Sequence, residues 1–237
     1  MWDMKSVYFN RNVALRDLDQ KDPEFVFDAW LERIREYYVT ESELSDEREN
    51  GFASMVLQLC AVDALASFIP PERSLLEEMS KYRKNPPQGS ELKIRTFLYL
   101  MLERNQTNKA ADSRTAEGEL LEATAHLYFQ YRCGLVHNGF TLQVGEYAKN
   151  NSPERLFLMS YQTYDALITN LIQDPTSAFI VNPKLFRLML NNKIGEAEKL
   201  SSEVKKKIGE EIQNVLSAEI RIAKQLPLPA NIRSQCD

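Results

Sequence analysis

The residues best equipped for chemistry stand together in Tyr131-Arg132-Cys133-Gly134-Leu135-Val136-His137-Asn138-Gly139. This stretch puts an arginine, one of the chain's 2 histidines, an asparagine and glycines at the end of a strongly patterned helical segment. Arg132 and His137 are five positions apart, about 140° around an ideal helix, so a straight helix does not present them on one face. A long arginine side chain can still swing across, and Gly134 removes bulk where a second chain or a ligand approaches. A guanidinium clamps phosphate oxygens in bidentate fashion, and an imidazole that titrates near neutrality moves a proton. The pair suits phosphodiester chemistry. The same residues also suit a plain helix end, where Arg132 opposes the macrodipole and His137-Asn138-Gly139 stops the helix.

Other candidates are weaker. Asp63 is the single acid of an otherwise apolar helix, either a paired structural carboxylate or a group that pairs with Arg132 or orients His137. His126 reads as a helix-face residue with Glu122 one turn earlier. Between positions 81 and 114 there are eight basic residues, among them Lys81, Arg83, Lys84, Lys93 and Arg95, against three acidic ones. That local surplus fits an RNA-binding groove with Tyr82 or Tyr99 for base stacking, and equally a solvated helix face. Lys205-Lys206-Lys207 has acids on both sides and reads as a solvated face.

Composition narrows the classes. The 237 residues carry 29 Lys+Arg against 34 Asp+Glu, a net charge of −5, which argues against coating nucleic acid through the overall field. With only 2 histidines, a three-histidine zinc site cannot be assembled from one chain. The 3 cysteines, Cys60, Cys133 and Cys236, are widely spaced, so neither a disulfide framework nor a zinc knuckle is expected. No metal and no cofactor are expected. Glycine-rich phosphate loops, HExxH and GxSxG are missing. No apolar run approaches the ~20 residues that span a bilayer and the opening residues lack a signal-peptide core, so a cytoplasmic protein is expected.

The elements that must position the motif read as helices. Asp22-Pro23 opens a helix to about Val39, with Phe25, Trp30, Ile34 and Tyr38 as its apolar stripe and Phe27 at the edge. The polar stretch TESELSDEREN leads into GFASMVLQLCAVDALASFI, apolar on all sides and so suited to the centre of a bundle. SLLEEMSKYR is a short helix, Ser90 caps ELKIRTFLYLMLER, and TAEGELLEATAHLYFQYR leads into the motif. FTLQV and RLFLMS favour a small β-hairpin. YQTYDALITNLIQ and NPKLFRLMLNN read as helices, and VKKKIGEEIQNVLSAEIRIAKQL reads as one amphipathic terminal helix. The expectation is one mainly helical domain without a firm internal boundary.

YRCGLVHNG, at the end of a patterned helix in a helical chain, resembles the R-x4–6-H motif of the HEPN superfamily, with Arg132 and His137 as motif residues. The helix bearing AVDALASFI resembles the buried first helices of HEPN bundles, and the likeness covers roughly residues 24–175. It implies an all-α antiparallel helical bundle, here with a small β-hairpin insertion and a C-terminal helical extension at about 182–226. It also implies a homodimer whose two motifs meet in one cleft, acting on RNA as a metal-independent endoribonuclease. His137 would transfer the proton of the ribose 2′-hydroxyl and Arg132 would neutralise the scissile phosphate. Beside that resemblance, Tyr131, Cys133, Asn138 and Asp63 are read as supporting residues. Other members bind nucleotides, RNA or protein partners without catalysis. The position after the motif arginine is most often polar in catalytic members, whereas here it is Cys133, a small and weakly hydrogen-bonding residue.

Overall fold

The computed structural model describes residues 8–69, 89–106, 124–125, 127–128, 156–159, 161, 168–171 and 178–225, and these are mostly helical. The chain divides into two compact units, Met1–Tyr37 with Gly195–Asp237, and Tyr38–Ile194.

In the first unit, Asp22 caps helix α1 (Pro23–Ile34), its carboxylate accepting from Glu24 N at 2.9 Å, and Pro23 fills the first helical position. Before it, Asn10 ties down an N-terminal turn. Its Oδ1 accepts from Val13 N at 2.8 Å, and its Nδ2 donates to Ala29 O at 3.1 Å and Glu32 Oε2 at 2.7 Å. The Arg33 guanidinium lies over the rings of Phe9 and Tyr37. The buried face of α1 is Val26, Phe27, Ala29, Trp30, Leu31 and Ile34. Phe27, read at the edge of the stripe, is fully buried, whereas Phe25, read within it, is 45% exposed. Lys205 Nζ reaches across the Phe27 ring to Asp28, whereas Lys21 lies over the exposed Phe25 ring.

The partner of α1 comes from far along the chain. Helix α6 (Ser202–Val215) buries Ile208, Gly209 and Ile212 and packs against α1 so closely that a Cβ at Gly209 would stand 1.8 Å from the Pro23 carbonyl oxygen. Helix α7 (Ser217–Gln225) buries Ile220 and Ala223 against a 3-10 turn, Leu15–Gln20, where Leu18 is buried. The expected single terminal helix is thus broken at Leu216 into α6 and α7. Gln213 Nε2, donating to Leu18 O and Lys21 O, fixes the break against the turn.

In the second unit, α2 (Glu41–Glu47) lies in the stretch read as polar connection. It ends in a Schellman motif: Asn50 N donates to Ser45 O at 2.9 Å, Glu49 N donates to Asp46 O at 3.0 Å, and Glu49 takes the left-handed φ of 55°. Asn50 then caps α3 (Gly51–Phe68), which packs against α2 and α4 (Gly89–Gln106). By length and a mean hydropathy of 1.6, α3 matches a membrane-crossing helix. Its buried residues include Ser54 and Gln58, joined by a 2.7 Å hydrogen bond, as suits a helix inside a protein.

A three-stranded sheet has the order β1-β3-β2, with β1 Leu156–Met159, β2 Ile168–Leu171 and β3 Ala178–Val181. β1 is parallel to β3, with Met159 opposite Val181, and β2 is antiparallel to β3. One expectation changes here. The helix read over 161–173 is a strand at Ile168–Leu171, because its β-branched Ile168 and Thr169 pair with β3. The strand expected in RLFLMS exists, and its described neighbour is β3; FTLQV lies outside the described residues. Asn182 joins β3 to α5 (Pro183–Ala197), its Oδ1 accepting from Lys184 N at 3.0 Å and Leu185 N at 3.3 Å.

Candidate functional site

Tyr131, Arg132, Cys133, His137 and Asn138 lie outside the described residues, as do Lys81, Arg83 and Lys84. His126 and Tyr82 lie outside them too, whereas Asp63, Lys93 and Arg95 are placed. Asp63 is half-buried on α3, and its backbone oxygen accepts from Ser67 Oγ at 2.8 Å. Lys93 is exposed on α4, its Nζ 3.4 Å from Ser67 O. Arg95, two positions on, is only 3% exposed and pairs with Glu91 at 3.1 Å. The two residues face different environments, Lys93 towards solvent and Arg95 into the protein.

A buried group of ionisable side chains gathers around Asp46, a residue that spacing alone does not single out. Asp46, in the last turn of α2, has a side chain only 1% exposed. Its Oδ2 accepts from Arg187 Nη1 of α5 at 2.7 Å, and its Oδ1 accepts from the Tyr161 hydroxyl at 3.0 Å. Arg187 also reaches Glu43 at 3.5 Å, and Lys184 stands over the Tyr161 ring. The phenol packs on the first turn of α3, where a Cβ on Gly51 would come within 3.1 Å of its oxygen. Glycine at that position leaves the ring room. Burial, then the hydrogen bond and negative charge of Asp46, hold the Tyr161 phenol far above its usual range, opposed in part by Arg187. This tyrosine is a fixed donor rather than a base at neutral pH.

The sequence signal for this group is thin. α2 lacks an apolar stripe, and its acids look like a solvated connection; Arg187 sits 141 residues from its partner. Among the described residues no group of three or more His, Cys, Asp or Glu is arranged to hold a metal. In the first unit a polar surface cleft of about 640 Å³ is bordered by Asp19, Gln213, Ser217, Arg221 and Lys224, with Lys224 engaged by Asp19.

No family model, curated protein or solved structure matches this chain.

Proposed function

We propose that this protein is a HEPN-like nucleic-acid-processing protein, a metal-independent endoribonuclease that acts as a homodimer in the cytoplasm. The observation that carries this reading is the Arg132-x4-His137 spacing at the end of a patterned helix. The helical character of the described residues, and an apolar α3 flanked by α2 and α4, are in keeping with a bundle over roughly 24–175. A hairpin of FTLQV with RLFLMS and the helices beyond 182 would be additions to that core.

In this reading His137 accepts the proton of a ribose 2′-hydroxyl as the 2′-oxygen attacks phosphorus. The P–O5′ bond breaks, a proton is delivered to the leaving oxygen, and a 2′,3′-cyclic phosphate remains. Arg132 neutralises charge gathering on the non-bridging oxygens, the larger effect, while proton transfer contributes about 10²–10⁴-fold. Labelled single-stranded RNA should be cleaved in the presence of EDTA. His137→Ala should abolish cleavage and leave the helical circular dichroism unchanged; undiminished cleavage by that variant overturns the assignment.

A second reading is a HEPN-like module that binds nucleotides, RNA or a protein without catalysis. Cys133 after the motif arginine and the net charge of −5 favour it. Retention of the same RNA without cleavage products separates the two.

A further inference from the structure

The segments that follow two neighbouring strands both reach one carboxylate. Two residues beyond the end of β1 at Met159, Tyr161 donates to Asp46 Oδ1 at 3.0 Å. Beyond the end of β3 at Val181, the chain turns through the Asn182 cap into α5, and Arg187 donates to Asp46 Oδ2 at 2.7 Å. Since Met159 lies opposite Val181 in a parallel pair, the two segments leave the sheet side by side. Each takes one oxygen of a side chain that is 1% exposed. Asp46 itself stands in the Schellman turn between α2 and α3, its main-chain oxygen accepting from Glu49 N, and Gly51 of that corner leaves room for the phenol ring.

We propose that Asp46 is a two-point latch, fastening the β1–β3 pair to the α2–α3 corner so that releasing it frees both strands together. Bonds to a buried charge are among the stronger hydrogen bonds, and one left unmade exposes its partner to the full cost of desolvation. Local openings follow the weakest fastening rather than the whole core. An ordinary buried network would instead add its stability evenly across the unit. This latch does not depend on the ribonuclease reading.

Hydrogen–deuterium exchange on the full chain distinguishes the two cases. In Asp46→Asn, amides of Leu156–Met159 and Ala178–Val181 should exchange at least about tenfold faster. Amides of Met55–Leu65 in α3 should stay within about twofold of the parent. Tyr161→Phe, which removes one oxygen and keeps the ring, should accelerate both strands although it cuts only the link beyond β1. Should Asp46→Asn not fold, this variant carries the same comparison. Equal acceleration of α3 and the strands, acceleration of β1 alone, or no change in either strand overturns the latch.

Discussion

Glu49 holds a conformation that costs a side chain about 1 kcal/mol or more and glycine very little. Its φ of 55° closes the turn that sets Asp46 at the end of α2. Glu49→Gly should therefore raise the stability of the second unit by about 0.5–1 kcal/mol, the gain trimmed by glycine's greater freedom in the unfolded chain. The midpoint of urea unfolding checks it. Tyr161 sets an alkaline limit. Its folded pKa lies above the unfolded value of about 10, so its contribution is complete below about pH 10. As pH rises further, the unfolded chain loses the phenolic proton first, and stability falls until the folded pKa is passed. Between about pH 10 and 12 the parent should lose stability more steeply than Tyr161→Phe, read from denaturant midpoints. Glu198, held below the usual carboxylate range by its hydrogen bond to Arg35, has the opposite sign: its stabilisation is present above about pH 4.3 and disappears on acidification. Both partners are over 40% exposed, so this effect is small.

Helix termini were readable because their residues act locally. Asp22-Pro23 and Asn182-Pro183 mark starts, Asp22 and Asn182 accepting from their helix's own amides, and the structure begins α1 and α5 there. What local pattern does not encode is the partner. ITNLI fits either period, and only pairing with β3 makes it a strand. Phe27 is buried and Phe25 exposed because α1 meets α6, a helix far away in sequence, which Gly209 lets come close. Asp46 was invisible for the same reason: one acid in an acidic stretch acquires meaning only from Tyr161 and Arg187. The Arg132–His137 motif is the reverse case, legible as a spacing and lying outside the described residues. The α1–α6 contact makes a sharp forecast. Gly209→Ala forces a methyl group to within 1.8 Å of the Pro23 carbonyl oxygen, and backbone cannot yield as a flexible side chain does. A loss of about 3 kcal/mol is expected from overpacking, measured by chemical denaturation; Gly195→Ala, inside α5 with its Cβ meeting open space, is the control and should instead gain about 0.5–1 kcal/mol.

On the scale of the molecule, the first unit is made of two stretches that the whole second unit separates: α1 finishes at Ile34, and the helix that covers it starts only at Ser202. During translation at about 5–20 residues per second, α1 would wait about 10–30 s for its cover to emerge from the ribosome. Over that interval Phe27, Trp30 and Leu31 have nowhere of their own to hide, which makes them a natural landing place for a chaperone. Ribosome-arrested chains stopped ahead of Ser202 should be cut by chymotrypsin within Pro23–Ile34, and the completed, released protein should resist; equal resistance in both would mean that α1 finds shelter before its late-arriving partner.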